Sequence, residues 1–308
     1  MTSSRYDSTG LKLLEEIAPL RDHVSAMVRE SQRIAGEAGR SASASSPAME
    51  ELTCSADYVG EWSDDPFQLS SSLAGLCVTA AEDHLDALVT LYSPTSDGET
   101  FDGPVYAHAT IARAVVETSA RAYWLVAPGA SYLERVTRAI AELLYTRWER
   151  SKVTDEPEGF QDFRDRVERE CERRGLELRC REPRRTLKIG DMRRPGNQAA
   201  VRALFEGKPE GFSDRLYSFY SAIAHGVAWG LMESLDTETQ TAQTGQPSSL
   251  QVANLVPLVR SSRSMFVALA VAADAYKIAC DARFARMGWD SDRWTTQGSE
   301  LIALVVNV

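Results

Sequence analysis

Across 308 residues, 44% of the side chains are hydrophobic and 25% are charged, the balance of a globular chain with a buried core rather than a disordered one. A formal net charge of −10 excludes a general nucleic-acid coat, which needs a basic face. The longest apolar runs, Phe266 to Ala273 and Leu301 to Val306, fall short of the roughly 20 residues that span a bilayer, and the polar opening Met1 to Gly10 lacks the layout of a signal peptide, so no membrane contact and a cytoplasmic location are expected.

In chain order, Leu11 to Ala38 has apolar positions at helical spacing and predicts a helix kinked or restarted at Pro19. The Ser/Ala/Gly segment Gly39 to Pro47 is the best linker candidate, which divides the chain into residues 1–50, an N-terminal helix with its linker, and residues 51–308, a helical bundle. Further helices are predicted at Leu69 to Tyr92, Pro104 to Val126, Ser131 to Lys152 and Glu158 to Gly175, the second of them stopped by Pro128 and Gly129. Leu176 to Gly196 loses the period and reads as a loop or small hairpin, and Asn197 to Phe205 as a short helix. Ser213 to Leu235 and Leu250 to Met287 are long helical segments around a polar loop, and the tail Leu301 to Val308 is a candidate minor strand. Long helices with short connections predict a mainly α protein, an antiparallel helical bundle with a basic loop inserted.

Three groups of polar residues lie on otherwise apolar faces. On Leu69 to Tyr92, His84 shares a stripe with Leu73, Leu76, Ala80, Leu88 and Leu91, which points it inward as a site residue or as a hydrogen-bonded core residue. On the next helix Arg113, Glu117 and Arg121 form a ladder at spacing four. Because the neighbouring positions are apolar or small, the ladder is either a buried salt-bridge chain or part of a site. In RLYSFYSAIAHGVAWG, from Arg215 to Gly230, the same spacing aligns Tyr217, Ser221 and His225, with Gly226 and Gly230 thinning the helix for a close neighbour. His84, Glu117 and His225 are expected to converge inside the bundle, since imidazoles complete the hydrogen bonding of a buried carboxylate.

DHLDAL from Asp83, RAVVETSARAYWLV from Arg113 and YSAIAHG from Tyr220 resemble an uncharacterised group of actinobacterial helical proteins, itself distantly similar to the HEPN superfamily and its abortive-infection-like branches. The resemblance spans roughly Leu69 to Leu235. It implies a HEPN-like helical bundle, a homodimer, and action on RNA or nucleotides without a metal or other cofactor, in a defence or toxin-related role. His225 then matches the family's histidine as general acid or base. The family's nuclease motif sets an arginine four to six residues before that histidine, where this chain has Phe219, Tyr220 and Ser221. That departure implies either a noncatalytic member of the family or an arginine delivered from Arg113 or Arg121, with Ser221, Tyr217 and Glu117 orienting the substrate.

Arg173 to Arg194 holds nine basic and three acidic residues, a local excess of cations in an acidic chain. Within it Arg184, Arg185, Lys188, Arg193 and Arg194 are candidate phosphate contacts, although charge runs are commonly just solvated faces. Five cysteines, an odd number without CxxC spacing, argue against a disulfide framework or a zinc ribbon, and no phosphate loop, nucleophile elbow or HExxH occurs. Two other functions remain open on these residues. One is a noncatalytic scaffold whose polar cluster is only a buried network; the other is a bundle enzyme acting on a small molecule beside Glu117 and His225.

Overall fold

A computed structural model describes residues 7–39, 41–49, 66–93, 106–154, 157–180, 187–227 and 262–306. The fold is mainly helical. Its principal helices are α1 (Asp7–Glu37), α2 (Pro66–Leu91), α3 (Ala107–Val126), α4 (Tyr132–Ser151), α5 (Pro157–Arg173), α6 (Asn197–Leu204), α7 (Phe212–Ala224), α8 (Ser262–Met287) and α9 (Asp292–Val306). Helix α1 continues through Pro19. Among the described residues, no helix is long and apolar enough to cross a membrane.

Helix α3 is the hub, packed against α2, α4, α6, α7 and α8. Alanines make that possible: Ala268, Ala272, Ala275 and Ala279 of α8 and Ala109, Ala112 and Ala120 of α3 are all fully buried, so helix backbones approach closely without side-chain collisions. The large core runs from Ile17, Leu20, Val24 and Met27 of α1 through α2, α3, α6, α7, α8 and α9, so α1 belongs to the same core as the bundle. A smaller core joins α4, α5 and the segment after α5 through Val136, Ile140, Leu144, Phe163, Val167 and Ile189.

Local signals set the helix ends that carry the polar residues. Ser131 caps α4 by accepting a hydrogen bond from the Glu134 amide, while Glu134 accepts one from the Ser131 amide at 2.7 Å, a reciprocal pair that satisfies two orphan donors. Between α5 and α6, Leu178–Arg179 (β1), Lys188–Ile189 (β2) and Met192–Arg193 (β3) form a three-stranded antiparallel sheet in the order β1-β2-β3. Of the two forms expected, loop or small hairpin, β2 and β3 make the hairpin, turned at Gly190 and Asp191 with Gly190 at φ +56, and β1 adds a third strand.

Three sequence expectations are corrected. The tail from Leu301 is helical as far as Val306, continuing α9 from Asp292; its apolar run packs Leu301 into the core and leaves Ile302 exposed, a helical rather than an alternating pattern. Helix α7 stops at Ala224 instead of running to Leu235. Gly226 takes φ +67, its amide donates to the Ile223 carbonyl at 3.0 Å, and the Val227 amide donates to Ala222 at 2.8 Å, the paired bonds by which a glycine ends a helix. Gly226 is therefore a terminator, and Gly230 lies outside the described residues. On α2 the buried stripe is Ala74, Val78, Ala81, Leu85, Leu88 and Tyr92, while Leu76 is exposed. His84 consequently sits half-buried at the edge of the stripe.

Candidate functional site

The ladder on α3 becomes the centre of a polar network that divides into a buried half and a half-open half. In the buried half, Arg121 is 8% exposed and lies 3.4 Å from Glu142 of α4. It also donates to the Pro195 carbonyl at 3.4 Å and to Asn197 Oδ1 at 3.2 Å. Glu142 in turn accepts hydrogen bonds from Nε and Nη2 of Arg194, at 2.8 and 3.1 Å, and the Arg194 guanidinium lies 3.5 Å from the centre of the Tyr145 ring. Burial lowers the Arg121 pKa below the usual arginine range, Glu142 opposes that shift, and Arg194 adds to it. Two arginines thus share one carboxylate in a low-dielectric setting, an arrangement that is tolerable because nearly every polar atom has a partner.

In the half-open half, Arg113 donates to Glu117 at 2.7 Å and reaches across to α7, donating to Tyr217 Oη at 3.2 Å and to Ser221 Oγ at 3.5 Å. The guanidinium also lies over the Tyr217 ring, 5.1 Å from its centre. Asn197 donates to the second oxygen of Glu117 at 2.8 Å, so this amide, at the start of α6, ties the two halves together. Burial weakens the Arg113 charge, but the hydrogen bond and charge of Glu117 outweigh it and the guanidinium pKa stands above its ordinary value. Burial, helped by the Glu117 charge, raises the Tyr217 phenol. The hydroxyls of Tyr217 and Ser221 are therefore neutral donors at physiological pH, held half-buried beside a fixed cation.

The structure thus gathers Arg113, Glu117, Arg121, Tyr217, Ser221 and Arg194 into one network. His84 and His225 do not join it: among the described residues, neither imidazole hydrogen-bonds to Glu117 or to the other. The expected convergence of His84, Glu117 and His225 fails for two reasons. His84 lies off the buried stripe of α2, and the early end of α7 leaves His225 as its exposed C-terminal cap, one turn beyond Ser221, to whose carbonyl its amide donates at 3.0 Å. Of the basic segment, Lys188 pairs with Asp191 at 3.3 Å, Arg193 is exposed on β3, Arg194 is absorbed by Glu142, and Arg184 and Arg185 lie outside the described residues.

Asn197, Glu142 and Tyr145 were not singled out from the sequence. Glu142 is the one charged residue in the apolar run Ala139 to Tyr145, a local signal, but its partners Arg121 and Arg194 are distant in sequence. No group of histidine, cysteine or acidic residues suited to hold a metal ion occurs among the described residues. No protein-family model, curated protein or solved structure matches the chain.

Proposed function

We propose that this chain is a HEPN-like helical protein that works as a homodimer and binds or cleaves RNA or nucleotides in a defence or toxin-related role, with its site on the half-open side of the α3–α7 network. The observation that carries the reading is the reach of Arg113 to Tyr217 and Ser221, which makes the α3 ladder and the polar stripe of α7 one cluster with His225 exposed a turn away. In this reading Arg113 balances phosphate charge, the Tyr217 and Ser221 hydroxyls donate to phosphate or ribose oxygens, Glu117 holds Arg113 in place, and His225 moves the proton. Arg121, Glu142 and Arg194 fix the hairpin and α6 against α3 and do not touch substrate.

A second reading, a noncatalytic scaffold, is favoured by a specific observation: both oxygens of Glu117 and both oxygens of Glu142 are already used by protein donors, as in a network built only to brace helices. One assay separates the two. Labelled RNA is incubated with the wild type and with His225→Ala, and cleavage and nucleotide binding are followed together. The proposal expects cleavage lost and binding retained in the variant. Absence of both activities from the wild type leaves the scaffold reading, and equal cleavage by the variant removes His225 from the mechanism.

A further inference from the structure

The large core seals in phenol hydroxyls that no protein group satisfies. Tyr92, directly after α2, is 1% exposed and Tyr220, on α7, is 2% exposed, and neither hydroxyl has a hydrogen-bond partner among the described residues. The other buried tyrosine and the buried tryptophans of the same core are all satisfied. Tyr276 donates to Glu82 at 2.7 Å, the Trp289 indole to the Ser41 carbonyl at 2.8 Å and the Trp294 indole to Asp281 at 2.7 Å. A buried hydroxyl without a partner loses its hydration and gains nothing, so native cores rarely keep one. Tyr92 and Tyr220 break that rule together.

They are also neighbours. Burial raises both phenols, and Tyr220 lies close enough to Tyr92 to raise it further. No ionic side chain contributes to either shift, so among the described residues no fixed charge faces these hydroxyls. The His108 ring, tilted 6.4 Å from that of Tyr92, is itself uncharged at neutral pH, because burial holds its pKa near 4, and its Nε2 is engaged with Ser264 Oγ at 3.1 Å. One turn away along the helices stand the buried apolar side chains of Leu88, Leu216 and Ile223. An ion in this setting would be uncompensated, and an apolar molecule would leave the hydroxyls as they are. What suits two neutral phenols, each able to donate and to accept, is a small neutral molecule that does the same.

We propose that buried water bridges the hydroxyls of Tyr92 and Tyr220 and forms a hydrogen-bonded strut from the end of α2 to the core side of α7. Both helices pack on α3, and the strut joins them directly. It has a consequence for the polar stripe of α7. Tyr220 immediately precedes Ser221, so anchoring its hydroxyl fixes the rotation of α7 about its own axis and holds Tyr217 and Ser221 toward Arg113. The strut stands whether or not that cluster binds a nucleotide.

The test compares the full chain with Tyr92→Phe, Tyr220→Phe and the double variant, each of which keeps the ring packing and removes only hydroxyls. Urea midpoints are measured for all four proteins, and NOEs between water and the tyrosine ring protons are recorded on the isotope-labelled wild type and single variants. The expected result is a lower midpoint in each single variant and a loss in the double variant smaller than the sum of the two, because the second substitution acts on a bridge already broken. Long-lived water should give NOEs to the rings of both Tyr92 and Tyr220 in the wild type, and each single variant should lose them at the remaining tyrosine. An unchanged or higher midpoint in either single variant overturns the proposal, since that is the outcome when phenylalanine relieves a hydroxyl that has no partner at all. Additive losses, or no water NOE in the wild type, overturn the bridge equally.

Discussion

Glu142 is the residue on which the buried half of the network turns, because two guanidinium groups converge on its carboxylate. Removing one member of such a set leaves charge buried and unpaired, a far larger effect than losing a surface pair. Glu142→Ala is expected to lower stability by about 3 kcal/mol, read from urea unfolding, whereas Lys188→Ala, which breaks the exposed pair with Asp191, changes it by less than about 1 kcal/mol. His108 supplies the pH dependence. It is buried beside Ser264, 3.1 Å from its Oγ, and tilted 6.4 Å from the Tyr92 ring, and burial lowers its pKa from the usual 6.5 to about 4. Above pH 6.5 the imidazole is neutral in both the folded and unfolded chains and contributes nothing. Between 6.5 and 4 the unfolded chain takes up a proton that the folded chain refuses, so stability falls as pH falls, by about 2 kcal/mol at pH 5. Urea midpoints at pH 7.5 and 5 are expected to differ by correspondingly less in His108→Gln than in the wild type; an equal difference would remove His108 as the cause.

At the scale of elements, glycine positions divide into those needing only a backbone conformation and those needing space as well. Gly226 has φ +67 with no atom near the place of a side chain, while a methyl group added at Gly288, at φ +63, would overlap the side chains of Ser43 and Ser46. Gly226→Ala is therefore expected to cost about 1 kcal/mol, the price of a left-handed alanine, and Gly288→Ala clearly more, since the junction of α8 with the segment after α1 must also open; melting temperatures of the two variants check the order. The helices themselves were legible in the sequence, because runs such as Ser131 to Lys152 combine a capping pair with a sustained period. The phase of α2 was not: Leu73, Leu76 and Leu91 lie on the expected stripe, Leu85 on the other and Leu88 on both, and only packing against α3 and α8 decides between them. The end of α7 was hidden by the apolar residues that continue past Gly226. The ladder Arg113, Glu117, Arg121 and the stripe Tyr217, Ser221 were readable by spacing, but their closure through Asn197 and Glu142 depends on contacts between residues some 20 to 110 positions apart, which local pattern does not encode.

For the whole molecule, α3 places one end of its ladder at the hairpin and the other at α7, so the bracing and the proposed chemistry lie on successive turns of a single helix. The homodimer proposed here predicts a mass twice that of one chain in light scattering, and His225→Ala, altered only at an exposed cap, is expected to leave that mass and the folded stability unchanged. The central claim, that the open side of the α3–α7 network is where a nucleotide binds, is tested most directly by titrating the isotope-labelled chain with a 5′-phosphorylated dinucleotide and following its backbone amide and imidazole resonances by NMR. Saturable shifts concentrated on Arg113, Glu117, Tyr217, Ser221 and His225, with Gly288 and Trp289, at the junction of α8 with the segment after α1, unmoved, are the predicted result; no saturable shift at those five residues, or shifts confined to other residues, would contradict it.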